Sequence, residues 1–158
     1  MTNGRTAKVP SAALPDLECA CATIRRAARL VTLLYAQEIG PDLEPSQFAL
    51  LFALSERPGA SQTPLGRALG LDKTTLSRNL RLMMNNGWIK PAKSDDRRER
   101  GYALTPTGHA LLARAKPRWE RAQAKMRAAM GSSAWENMFR VMGDIVEAAR
   151  KQAGAREV

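Results

Sequence analysis

Apolar residues recur along most of this chain at three- and four-residue steps, the spacing of helices that bury one face. Over residues 16–38 one stripe runs through Leu17, Cys21, Ile24, Ala28, Val31 and Tyr35, and Asp16 is placed to cap the helix. Cys19, Leu30 and Leu33 form a second stripe on the other side. A helix apolar on two sides must be covered on two sides, which in so short a chain favours a subunit interface. Gly40-Pro41 ends this helix, Pro45 opens a second over 46–56, and Pro58-Gly59 closes that one. Thr63 is placed to cap a short third helix, 64–69, stopped by Gly70. Asp72 caps a fourth, 73–86, with Leu71 and Leu76 as a hydrophobic staple and Gly87 as the stop.

The period then changes. Residues 88–91 and 100–104 suit short strands on either side of a charged tip, Ser94 to Glu99, which together make a hairpin. Thr105-Pro106 begins a fifth helix toward Met130, with a kink or break expected at Pro117. Gly131-Ser132-Ser133 separates it from a sixth helix over 134–151, and Trp119 and Trp135 fall at core or interface positions. The expected fold is mainly α with a small β-hairpin. Residues 1–15, rich in Ser, Ala, Pro and Gly, are expected to form a mobile arm.

Composition narrows the function. The 158 residues carry 25 Lys+Arg against 15 Asp+Glu, a formal net charge of +10, which points to a polyanionic partner. One histidine and two cysteines exclude a zinc finger, an H-E-x-x-H hydrolase and a disulfide-stapled scaffold, and leave no four-ligand metal site unless a dimer pools its ligands. No metal or other cofactor is expected. The sequence has no Gly-rich phosphate loop, no G-x-S-x-G and no nucleophilic triad, so an enzyme is disfavoured. The longest apolar run, 48–54, is far short of the roughly 20 residues a membrane helix needs. No secretory h-region follows the N-terminus, and two cysteines without one suit a reducing compartment, so a cytoplasmic location is expected.

Two short helices joined by Leu69-Gly70-Leu71-Asp72 make a helix-turn-helix, and the basic hairpin directly after it makes a wing. The start of the fourth helix offers Lys73, Thr74, Thr75, Ser77, Arg78 and Arg81, groups suited to major-groove edges and phosphates. Residues 67–100 hold nine Lys+Arg and four acids, so half of the net charge lies in under a quarter of the chain. Any one of these cations is as well suited to a phosphate as to a base.

The chain resembles the MarR family of winged helix-turn-helix regulators. Pro45-Ser46-Gln47-Phe48-Ala49-Leu50-Leu51 and the run from Leu65 to Arg78 carry the resemblance, together with Leu80 to Met83 and Asn86-Gly87-Trp88-Ile89. The most specific blocks are Asp95-Asp96-Arg97-Arg98 and Leu104-Thr105-Pro106-Thr107-Gly108. The resemblance covers about residues 16–150. It implies an obligate homodimer through the N- and C-terminal helices (residues 16–40 and 106–152) around a winged helix-turn-helix lobe (residues 41–105). It implies a pseudo-palindromic double-stranded DNA operator, with the fourth helix in the major groove and Arg97 and Arg98 in the minor groove. Asp96, or else Asp95, would orient those arginines. Glu44 stands where relatives often place a Ser or Thr cap. Such regulators usually repress, and a ligand or an oxidant releases them.

Two switches are open. A small aromatic or phenolic carboxylate would bind between the dimerisation helices and the lobe, with Arg26, Leu30, Phe48 and His109 as candidate contacts. An unpaired guanidinium at Arg26, within the second stripe, would be costly, and an anionic ligand or an acid such as Glu147 would satisfy it. Alternatively Cys21, fourteen residues before Tyr35, resembles the peroxide-sensing branch of the family, although the loop before the second helix lacks that branch's aromatic hydroxyls. The plainer expectation is that both cysteines are small apolar core residues. A more distant alternative for the whole chain is a protein that coats DNA without sequence preference.

Overall fold

The computed structural model describes residues 18–94 and 98–152. The expected arm over residues 1–15, the cap at Asp16, and Asp95, Asp96 and Arg97 at the wing tip lie outside the described residues. Six helices and one hairpin follow in the expected order: α1 (Ala20–Ile39), α2 (Pro45–Glu56), α3 (Gln62–Leu69), α4 (Lys73–Asn85), β1 (Ile89–Ala92), β2 (Gly101–Leu104), α5 (Pro106–Met130) and α6 (Ser132–Gln152).

A single core forms where α2, α4, the hairpin and the first half of α5 meet. Leu50, Leu51, Leu54 and Met83 have no exposure, and Leu76, Leu80, Ile89, Leu104, Leu111 and Leu112 close around them. Each such side chain taken from water contributes about 1.5–3 kcal/mol before the entropy of ordering it is subtracted. Both residues of the expected staple join the core, Leu76 buried and Leu71 packed against it. α2 starts through Gln47, whose side-chain oxygen accepts from the Glu44 N–H at 3.1 Å, so Glu44 replaces the hydroxyl cap without loss of the helix start.

The hairpin pairs Ile89 with Leu104 and Ala92 with Gly101 in antiparallel register. A third short segment joins it: the Gly59 N–H donates to the Tyr102 carbonyl at 2.8 Å, the Tyr102 N–H to the Ala60 carbonyl at 3.1 Å, and Ser61 bridges Gly101. Gly101 has to be glycine, because a Cβ there would overlap the backbone of Gly59. The Leu104-Thr105-x-x-Gly108 block has a similar cause. Thr105 Oγ1 accepts from the Gly108 N–H at 3.1 Å and donates to the Gly87 carbonyl at 2.6 Å, tying the start of α5 to the end of α4. A Cβ at Gly108 would overlap the Trp88 carbonyl, so only glycine lets α5 lie this close.

Several boundaries differ from expectation. α1 begins at Ala20, because Glu18 and Cys19 are not helical. α3 begins at Gln62 with Ser61 at its cap position, not at Pro64 after a Thr63 cap; the Thr63 hydroxyl is engaged across the chain by Glu99. α5 runs as one helix through Pro117. Pro117 lies on the exposed side, where water can serve the carbonyl that loses its donor. α6 starts at Ser132, leaving Gly131 with positive φ as the joint.

Outside the lobe, α1 lies along α5. The Tyr35 hydroxyl donates to Gln123 Oε1 at 2.7 Å, Glu38 pairs with Lys125, and Arg118 Nη1 donates to the Ile39 carbonyl at 3.1 Å, at the C-terminus of α1. α6 buries none of its residues.

Candidate nucleic-acid interface

The fourth helix is fixed at its start. Asp72 caps α4: Oδ1 accepts from the Thr75 N–H at 2.9 Å and Oδ2 from the Thr75 hydroxyl at 2.6 Å. The Thr75 hydroxyl, then its N–H, holds the Asp72 carboxyl below its ordinary range. Leu76, Leu80 and Met83 face the core, which turns Lys73, Thr74, Arg78 and Arg81 outward, all exposed. At 100° per residue these four occupy an arc of roughly 140° on one side of the helix. They are the sequence-predicted residues that the fold brings together on an open face.

Two others are partly engaged. The Thr75 hydroxyl is spent on the cap, and Ser77 is half-buried, its Oγ donating to Gln62 Oε1 at 3.4 Å. Gln62 in turn donates to the Tyr102 hydroxyl at 3.2 Å, so α3, α4 and β2 share one polar chain. Ser77 therefore belongs to the joint behind the cationic face more than to the face itself.

On the wing, Arg98 is exposed beside Arg100, with Lys90 and Lys93 exposed on the other leg. Glu99 lies between the two arginines and turns inward. Its Oε1 accepts from the Thr63 hydroxyl at 2.6 Å. The Ser61 hydroxyl, then that of Thr63, holds the Glu99 carboxyl below its ordinary range, and the Arg67 charge adds a smaller pull. Glu99, Thr63 and Gln62 were not legible as site residues. Their contacts span 36 and 40 residues of sequence, and no local pattern announces them.

The residues expected to form an effector pocket do not converge. A cavity of about 320 Å³ lies between α1, α2 and α5, lined by Tyr35, Ile39, Pro45, Phe48, Ala49, Phe52, Ala53, Leu69 and Trp119. Of the four candidates only Phe48 reaches it. Phe48 stacks on Trp119 with ring centres 5.6 Å apart, and Phe52 stacks on both. Arg26, Leu30 and His109 are exposed elsewhere, so the burial cost assigned to the Arg26 guanidinium does not arise within one chain. Glu147, considered as its partner, pairs with Lys151 one turn along α6 at 2.6 Å.

The cysteines are not core residues of the chain: Cys21 is exposed and Cys19 half-buried. Cys21 and Tyr35 share α1, separated by roughly 21 Å of helix axis, and do not meet within one chain. Burial pushes the Tyr35 phenol above its ordinary value, and its hydroxyl already serves Gln123. Among the described residues no group of three or more His, Cys, Asp or Glu could hold a metal, and no helix is long and apolar enough to cross a membrane.

Comparison with known proteins agrees with this geometry. Residues 42–99 match the model of the MarR family. The transcriptional regulator HosA of Escherichia coli is 36% identical over 78 residues, which cover 49% of this chain and 58% of HosA, so the match spans less than two-thirds of that relative. The M. tuberculosis transcriptional regulator MosR, solved in complex with DNA, is 33% identical with a TM-score of 0.74, covering 85% of this chain and 98% of MosR. The PcaV transcriptional regulator of Streptomyces coelicolor, solved with its natural ligand, has the same fold at 24% identity, with a TM-score of 0.76, covering 87% of this chain and 99% of PcaV.

Proposed function

The chain belongs to the MarR family, and from that premise we propose that it is a sequence-specific DNA-binding transcriptional regulator that acts as a homodimer on a pseudo-palindromic operator. The observation that carries this reading is the exposed arc of Lys73, Thr74, Arg78 and Arg81 on α4, set beside the Arg98 wing by a buried lobe. α4 supplies the groups that reach base edges and phosphates in the major groove, while Arg98, with Arg97 next to it in sequence, serves the minor groove, where a narrow A·T tract concentrates negative potential. MosR, solved with DNA, supports the assignment.

The second copy is supported by what one chain leaves uncovered. Leu30 and Leu33 on α1, and Phe139, Met142 and Val146 on α6, are 41–60% exposed. Large apolar side chains repeating at helical spacing on two elements suit a partner helix surface. The domain division follows: residues 16–40 and 106–152 hold the dimer, and residues 41–105 read the duplex.

The proposed activity is repression released by a small aromatic molecule. The cavity between α1, α2 and α5 offers stacked rings and no charged wall, so it suits an aromatic ring. An aromatic carboxylate entering it would keep its charge outward in water.

Competition separates a reader from a coating protein. The expected result is retention on one selected duplex in excess competitor DNA, with footprinted half-sites about one helical turn apart. Lys73→Ala and Arg78→Ala should each lower the slope of log K against log salt by about one, if the lost contact is a phosphate. A chain that titrates away onto competitor with no footprint overturns the reading.

A further inference from the structure

We propose that Glu99 is a positioning residue: it ties the wing to the first turn of α3 and thereby fixes the wing's pose beside α4. This rests on the reading that the wing meets DNA. α3 starts without a cap of its own, since the Ser61 side chain makes no capping hydrogen bond. A carboxylate that meets this start at the Thr63 hydroxyl arrives from 36 residues further along the chain. Glu99 Oε1 takes the Thr63 hydroxyl at 2.6 Å in the first turn of α3, and Glu99 Oε2 is buried there without a hydrogen-bond partner among the described residues. A carboxylate at a helix start is favoured both by the unsatisfied N–H groups and by the helix dipole. Arg67, further along the same helix, adds attraction.

The location makes this more than a helix end. Glu99 directly follows Arg98, and Ser61 also bridges Gly101 through the main chain. The returning leg of the wing is thus fastened to α3 twice within three residues, once by backbone and once by side chain. α3 in turn holds α4 through the chain of Tyr102, Gln62 and Ser77. A wing cation displaced by an ångström from its groove loses most of a directional contact, so fastening the leg preorganises the arginines beside it.

Charge alone makes the opposite prediction. Glu99 is an acid among Lys90, Lys93, Arg98 and Arg100, and removing an acid from a DNA-facing cluster should tighten binding to any polyanion. A positioning role requires that Glu99→Ala weaken specific binding even though a repulsive charge has gone.

The test uses the full chain and a selected operator duplex, read by fluorescence anisotropy, with amide hydrogen exchange on the free protein. Glu99→Ala should weaken operator binding roughly fivefold to tenfold, equivalent to about 1–1.4 kcal/mol, and Glu99→Gln, which keeps an acceptor for Thr63, should restore part of that loss. The loss should nearly vanish in an Arg98→Ala background and persist in full in an Arg78→Ala background, because only the first shares the wing. A general loss of stability would lower binding equally in both. Amides at 62–63 and 98–101 should exchange faster in Glu99→Ala. Unchanged or tighter operator binding, full additivity with Arg98→Ala, or unchanged exchange overturns the proposal. Should the unaltered chain select no duplex at all, the DNA reading falls on that result, and exchange in Glu99→Ala and Glu99→Gln decides the fastening of the wing by itself.

Discussion

The winged lobe and the outer helices solve the burial problem in different ways. In the lobe, Leu50, Leu51, Leu54 and Met83 are fully enclosed by residues of the same chain, and three close approaches, at Gly59, Gly101 and Gly108, admit only glycine. On α6 no residue is buried, and Phe139 stands 58% exposed. The lobe is complete alone; α6 and one side of α1 are not. A reading head has to hold its side chains to fixed positions, which takes a dense core. A helix that spends its apolar face on another copy can leave that face open until the copy arrives.

Three substitutions would break or sharpen that contrast. The largest effect is expected at Gly108, where an added Cβ collides with the Trp88 carbonyl. Gly108→Ala should cost more than about 3 kcal/mol, beyond the usual range for overpacking, because neither backbone can yield. A urea midpoint indistinguishable from that of the unaltered chain would show that the lobe is looser than its geometry.

Next in size is the double change Phe139→Glu with Val146→Glu. It should leave the lobe's secondary structure intact and shift the sedimenting species from dimer to monomer. Each apolar side chain denied its partner loses about 1.5–3 kcal/mol of association. If the altered chain sediments as the unaltered one does, α6 is not the contact surface.

The smallest effect is at Asp72. Its folded carboxyl titrates below its unfolded one, so its cap stabilises the fold fully above the unfolded value and is lost as pH falls through the folded value. Melting temperatures of Asp72→Ala and the unaltered chain should therefore differ by a few degrees at neutral pH and converge in acid. A gap that stays constant with pH would assign the cap to something other than the ionised carboxylate.

What the sequence disclosed was mostly local. The Asp72 cap, the Leu71–Leu76 staple and the Thr105-x-x-Gly108 block each act over four to six residues, so their spacing alone identifies them. The start of α3 lies two residues before the one Thr63 suggests, because that hydroxyl, set where a cap belongs, is engaged by Glu99 36 residues on. Of the kink or break expected at Pro117, the break does not occur, for a related reason. One missing hydrogen bond on the wet side of a helix is outweighed by what α1 and the lobe gain from a continuous partner. The effector candidates scatter because helical phase places Arg26 and Leu30 on the exposed side of α1, whereas the cavity forms against the turn holding Tyr35 and Ile39. Long-range pairs such as Tyr35 with Gln123, 88 residues apart, leave no periodic trace.

The uninterrupted α5 has a mechanical consequence. Its 25 residues form a rod about 37 Å long, seated in the lobe by Leu111, Leu112 and Ala115 and against α1 beyond Trp119. Hinged at one end, a strut of that length swings the other through roughly 6 Å for a tilt of about 10°. That displacement is comparable to the width of a minor groove, so under the proposed function a ring lodged beside Trp119 would need only a slight lean on this lever to alter the spacing of two such heads.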